Sequence, residues 1–211
     1  MTELVVFDMD GVLVDAVSSW VYVHRHFQVN NDHSLYAYLD GEIDDLEFIR
    51  RDISLWTKKE PAITARSIEE ILSKVPLMPG ARETISTLRS RGVRTAIVSA
   101  GIDLLSKRIA RELSMDLEFA NGLVTDGHGR LSGEGILRVK LMEKGDAVAE
   151  AAEALGADLA ETVAVGDSRY DVSMFERAGK GIAFQPVDDI VRERADAVVE
   201  KKDLTGILEH I

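Results

Sequence analysis

The stretch Leu4-Val5-Val6-Phe7-Asp8-Met9-Asp10-Gly11-Val12 decides the architecture. Four apolar residues, two of them β-branched, run without alternation and stop at an aspartate. A run that short and that uniformly apolar reads as a strand buried on both faces, inside a parallel sheet. In open α/β sheets ligands gather beyond the carboxyl ends of the strands, so Asp8 and Asp10 stand where chemistry is expected. Residues two apart on extended chain point to the same side. Two carboxylates so placed repel each other unless a cation or a proton neutralises one.

Similar runs recur further on. Arg94–Ser99 follows a helical pattern over 81–91 closed by Gly92, and Thr162–Val165 follows one over 146–155 closed by Gly156. Gly181–Phe184 follows a helical pattern over 172–178, and Ala197–Glu200 completes the set. Helices alternating with short apolar strands predict the α/β class with a doubly wound, mostly parallel sheet. The segment 16–75 breaks the alternation. It holds helical patterns over 18–27, 35–39, 44–58 and 67–74, the last with Ser67 and Glu70 spaced as a capping box, and no strand. Pro76 and Pro79-Gly80 mark the return to the alternating pattern. The predicted organisation is a core of residues 1–15 and 76–211, with a small all-helical insert, 16–75, after the first strand. Asn121-Gly122 and Asp126-Gly127-His128-Gly129 punctuate apolar runs and predict a hairpin within 117–131.

The 211 residues include no cysteine, which excludes disulfides, thiol catalysis and iron–sulfur clusters. Lys and Arg number 25 against 37 Asp and Glu, a net charge of −12. Phosphate backbones and anionic membranes attract clustered Lys and Arg, so no nucleic-acid or membrane partner is expected. The apolar run at Leu4–Phe7 is too short for a signal peptide or a membrane span, and a soluble, cytoplasmic protein is the expectation.

The remaining strand ends complete a coherent set. Ser99-Ala100-Gly101 follows one strand and Gly166-Asp167 another, with Asp171 four residues beyond Asp167. Lys144 stands just before the helix opening at Gly145-Asp146, which favours it over Lys140. Asp167 adds a third oxygen donor to Asp8 and Asp10, and an oxygen-only site suits Mg²⁺. Ser99, with the backbone N–H groups that follow, can hold phosphate oxygens, and Lys144 sets positive charge against them. A metal, a nucleophilic carboxylate and a phosphate cradle point to phosphoryl transfer.

Asp8-Met9-Asp10-Gly11-Val12 resembles the first motif of the haloacid dehalogenase superfamily, Ser99 its second, Lys144 its third, and Gly166-Asp167-Ser168-Arg169-Tyr170-Asp171 its fourth. All four occur in order along nearly the whole chain. The helical insert and the stretches around 143–156 and 162–175 look most like phosphoserine phosphatases. The resemblance implies that Asp8 attacks phosphorus and Asp10 serves as acid and base. It implies that Asp8, Asp167 and the backbone carbonyl of Asp10 hold Mg²⁺ with Asp171 in support. It further implies that Ser99, Ala100 and Lys144 bind the phosphoryl group of a small phosphorylated metabolite, and that the insert is a cap. Phosphoserine phosphatases carry a Glu nine residues after the nucleophile, where this sequence has Val17, and a cap Arg, where an ungapped match puts Asp52. Tyr170 stands where the fourth motif usually has Asn.

The resemblance thus implies phosphatase chemistry with altered amino-acid-binding cap residues. A phosphomutase with the same chemistry, or a non-catalytic phosphate-binding protein, is the alternative. Arg50 and Arg51 read as a solvated helix face, Asp15 as part of a turn, the five histidines as structural or solvent-facing, and Trp20 and Trp56 as pocket lining. The oligomeric state is not legible.

Overall fold

A computed structural model describes residues 1–211. Seven strands form one sheet in the order β4-β3-β2-β1-β5-β6-β7. They are β1 (Leu4–Phe7), β2 (Arg94–Ile102), β3 (Leu117–Thr125), β4 (Leu131–Ile136), β5 (Thr162–Gly166), β6 (Lys180–Phe184) and β7 (Ala197–Val199). All neighbours run parallel except the β3–β4 hairpin, as the doubly wound expectation requires. The run that decided the class sits at the centre. β1 pairs with β2 on one side and β5 on the other, and its four residues are fully buried. Val5 and Phe7 join one hydrophobic core and Leu4 and Val6 a second, so the central strand separates two apolar layers.

Five helices lie between β1 and β2, and the first four fall within 16–75: α1 (Ser19–Phe27), α2 (Asp32–Leu39), α3 (Asp45–Lys59) and α4 (Ala65–Leu72). The rest of the chain supplies α5 (Ala81–Ser90), α6 (Asp103–Leu113), α7 (Lys144–Leu155), α8 (Val172–Arg177) and α9 (Asp189–Arg194). Local chemistry explains the insert helices. Ser18 caps α1 by accepting from Val21 N–H, and Gln28 ends it in the left-handed region at φ 53°. Asp44 caps α3, with acids in its first turn and Lys58 and Lys59 in its last, as the helix dipole favours. One stripe of α3, Ile49, Asp52, Ile53 and Trp56, is buried.

Several boundaries differ from the sequence expectation. β2 continues three residues past Ser99, and α6 and α9, which no pattern had singled out, follow β2 and β6. The hairpin's second strand begins at Leu131 and runs on to Ile136, past the predicted span. α4 opens earlier than predicted because Thr64, not Ser67, is its cap: the Thr64 hydroxyl accepts from Ser67 N–H at 3.1 Å, which makes Ser67 the third residue of the first turn. The insert is also tied to the hairpin, through Ala65 N–H to Gly129 O at 3.0 Å and Leu131 N–H to Ile63 O at 2.9 Å. No helix is long and apolar enough to cross a membrane.

Candidate active site

The carboxyl ends of β1, β2 and β5 open into a cavity of about 520 Å³, roofed by the insert helices. Asp8, Asp10, Ser99, Ala100, Lys144 and Asp167 all line it. Residues predicted to act together therefore meet, although they come from four separate stretches of chain. Asp171 lies directly behind, with no exposure at all.

Asp8 is buried at the end of β1, where one carboxylate oxygen, Oδ1, accepts from Met9 N–H at 2.7 Å. Its other oxygen lies 3.0 Å from Lys144 Nζ, which sits 2.7 Å from Asp171 Oδ1. Asp171 Oδ2 accepts from Asp167 N–H at 2.9 Å and Ser168 N–H at 3.0 Å. Both Asp171 oxygens are thus engaged, so it orients the lysine and the loop after β5. The chain turns away from Asp10 through Gly11 at φ +79°, a left-handed conformation, and a side chain there would run into the Asp167 carboxylate.

Oxygens of Asp8, Asp167 and Asp171 lie within 4.8 Å of one another. With Asp171 engaged by Lys144 and two N–H groups, Asp8 and Asp167 are the side chains of this group left to hold a hard cation. Burial and mutual repulsion oppose full ionisation of this group. Burial pushes the Asp8 carboxyl up, Lys144 pulls it back, and Asp171 and Asp10 push it up again. Burial and then repulsion from Asp171 and Asp8 push Asp167 up. The Lys144 ammonium is held in its charged form by Asp171 and Asp8 despite a burial that opposes it. Oxygen donors whose buried charge exceeds the one lysine among them fit a divalent cation.

Residues 2–179 match the family described as haloacid dehalogenase-like hydrolase. The chain belongs to that family. It is 32% identical to the phosphoserine phosphatase of Methanocaldococcus jannaschii over 99% of this chain and 97% of that one. It is also 32% identical to that of Wolinella succinogenes, over 99% of this chain and 100% of that one. A solved substrate-bound phosphoserine phosphatase complex superposes with a TM-score of 0.85 at 31% identity, covering 100% of this chain and 99% of that one. A solved phospho-aspartyl intermediate analogue of phosphoserine phosphatase gives 0.84 at 32%, with the same coverage. The protein is a phosphatase-class hydrolase of the haloacid dehalogenase-like family, similar to phosphoserine phosphatases.

In this haloacid dehalogenase-like chain several polar residues escape the sequence reading. Ser19 gives both its N–H and its hydroxyl to Asp10 Oδ2, each at 2.8 Å, and its hydroxyl accepts from Ile102 N–H at 3.0 Å. Burial raises the Asp10 carboxyl and the two Ser19 bonds lower it. Gly101 permits this packing: a Cβ there would stand 2.7 Å from both Asp10 Oδ2 and Ser19 Oγ. Asn121, read as a turn residue, is buried, and its amide donates to the carbonyls of Ala100 at 3.1 Å and Val139 at 2.9 Å. Trp20 Nε1–H also donates to Ala100 O, at 3.0 Å, so two side chains anchor the end of β2 just after Ser99.

Other expectations divide. Trp20 lines the cavity but Trp56 does not; it is fully buried behind, stacked on Trp20 with ring centres 5.5 Å apart. His24 is structural and buried, whereas His26, His33 and His128 are exposed. Arg50 and Arg51 pair outward with Glu134 and Glu47, at 2.6 and 3.0 Å, and leave the cavity to Asp52. Asp15 meets Lys202 at 2.6 Å on the rim, where Tyr170 also stands.

Proposed function

We propose that this enzyme hydrolyses a small phosphomonoester through an aspartyl-phosphate, with Asp8 as nucleophile and Asp10 as acid and base. The observation that carries this reading is the convergence of Asp8, Asp10, Ser99, Lys144 and Asp167 on one buried cavity. A carboxylate oxygen of Asp8 bonds to phosphorus as the ester P–O bond breaks, and the departing alkoxide takes its proton from Asp10. Asp10 Oδ1 is buried with no partner in the protein, and Ser19 holds the other oxygen, so the free oxygen is available for that transfer. Asp10, now ionised, takes a proton from water whose oxygen attacks the acyl phosphate, freeing Asp8 and inorganic phosphate.

Lys144 and Ser99 bind the phosphoryl oxygens, together with the Ala100 N–H. Gly101 N–H donates to Ser99 Oγ at 3.1 Å, which leaves the hydroxyl proton for the phosphate. Asp8, Asp167 and the backbone carbonyl of Asp10 would hold Mg²⁺. When bound, the ion supplies the charge that keeps these carboxylates ionised and offsets charge on the phosphoryl group. Asp171 acts through Lys144. Residues 16–75 are the cap that keeps bulk water from the acyl phosphate over a core of 1–15 and 76–211. The relatives named above are phosphoserine phosphatases; Val17, exposed, and Asp52 line this cavity, which supports reading the amino-acid-binding residues as changed.

Phosphate release from p-nitrophenyl phosphate, with Mg²⁺ and with chelator, tests the assignment. Turnover is expected only with the ion, and Asp8→Asn is expected to abolish it. Full turnover in Asp8→Asn would remove Asp8 as the nucleophile.

A further inference from the structure

The roof of the cavity differs in charge from its floor. The floor has Lys144 among the acids, paired with Asp8 and Asp171. The other lysine, Lys202, sits on the rim and is paired with Asp15. The roof contains Trp20, Phe48 and Ile49 with two acids, Asp45 and Asp52; no arginine or histidine lines any part of the cavity. Asp45 Oδ1 is already used by Leu141 N–H at 2.8 Å and the Tyr38 hydroxyl at 3.1 Å.

Asp52 is the less satisfied of the two. It is 3% exposed, Oδ2 accepts from the Asn31 amide at 3.3 Å, and Oδ1 has no hydrogen bond. Oδ1 lies 3.5 Å from His24 Nε2. The other ring nitrogen, Nδ1, accepts from Trp56 Nε1–H at 2.7 Å. An indole N–H only donates, so Nδ1 carries no hydrogen and the single ring proton is on Nε2. An imidazolium would set N–H against N–H at Trp56. Asp52 Oδ1 therefore faces a ring N–H that stands too far off to bond it; burial pushes the carboxyl up, and His24 and the Asn31 amide pull it only part of the way back.

We infer that the substrate is the phosphomonoester of an amino alcohol that carries an ammonium group and no carboxylate, its cation seated between Asp52 and the face of Trp20. A substrate ammonium supplies the counter-charge that Asp52 lacks and meets an aromatic face. A substrate carboxylate would be buried beside two acids with no cation free to receive it. This inference rests on the proposed phosphatase reading and sharpens its substrate.

O-phosphoethanolamine and O-phosphoserine differ by one carboxylate, and glycerol phosphate replaces the ammonium with hydroxyls. The test measures kcat/KM for all three on the full chain with Mg²⁺, alongside p-nitrophenyl phosphate. Phosphoethanolamine is expected to exceed each of the others by about tenfold or more, the discrimination a buried unmatched charge imposes. In Asp52→Asn the phosphoethanolamine-to-phosphoserine ratio should fall towards one. A wild-type preference for phosphoserine or glycerol phosphate overturns the inference, and so does an unchanged ratio in a folded Asp52→Asn. Should that variant not fold, the wild-type ratios alone decide. Turnover of p-nitrophenyl phosphate without turnover of phosphoethanolamine sinks this inference and leaves the phosphatase reading standing. No turnover of any ester, with or without Mg²⁺, takes down both.

Discussion

Lys144→Met removes one ammonium and keeps a side chain of similar length. The ammonium lies 3.0 Å from Asp8 and 2.7 Å from Asp171, with all three side chains buried. Removing one partner of such a group leaves uncompensated buried charge, which costs about 3–5 kcal/mol. For a chain of this length each kcal/mol is worth about 2–4 °C, so the melting temperature should drop by roughly 6–20 °C. The pH dependence follows from Asp8. Burial already raises its carboxyl above the unfolded value, and Lys144 is the main influence lowering it. Without the lysine the carboxyl rises further. A carboxyl raised by folding disfavours the ionised folded state, and that penalty is absent below the unfolded pKa and complete above the folded one. The loss in Lys144→Met should therefore be small in acid and grow towards alkaline pH. Thermal melts of both proteins across pH, in chelator so that no bound ion supplies the missing charge, check this. A melting temperature within about 3 °C of wild type at alkaline pH, the size of a single kcal/mol at roughly 2–4 °C each, would refute the reasoning. A deficit that is largest in acid would refute it as well.

Ser19→Ala removes the hydroxyl that bridges Asp10 and Ile102 N–H. Leaving those buried groups unpaired should cost about 1–3 kcal/mol by denaturant titration. The lost bond was lowering the Asp10 carboxyl, so the alkaline limb of kcat/KM should move to higher pH. Mg²⁺ at a hundred times its dissociation constant should stabilise the fold by about 2.7 kcal/mol. That gain is expected to vanish in Asp167→Asn, as thermal melts with and without the ion would record.

The sequence exposed the fold through β1, β5 and β6, whose apolar runs need no partner information to be read as buried strands. Asp8, Asp10, Ser99, Lys144 and Asp167 were legible because strand ends and helix starts are marked locally. Ser19, Asn121 and the His24–Trp56 pair were not. Each takes its role from a partner elsewhere in the chain: Ser19 meets Ile102, Asn121 meets Ala100, and His24 meets Trp56. A serine at a helix start looks the same whether it caps that helix, as Ser18 does, or holds a carboxylate from its first position, as Ser19 does. α6 was missed because β2 runs on through Gly101, where the pattern suggested that the strand had already stopped.

The hydrogen bonds between the insert and the hairpin bear on how the reaction cycle opens and shuts. Ala65 and Ile63 bond to the hairpin, and the Asp45 side chain bonds to Leu141 just past it. A hinge at the two chain crossings would not be enough to lift the helices away, because these latches must also let go, as must the Arg50–Glu134 pair and the Trp20 and Ser19 bonds to β2. At about 0.5–1.5 kcal/mol each they hold the roof down by a few kcal/mol, so the unlatched form is a minor population. Any ligand exchange that needs the roof to lift is then tied to breaking these bonds.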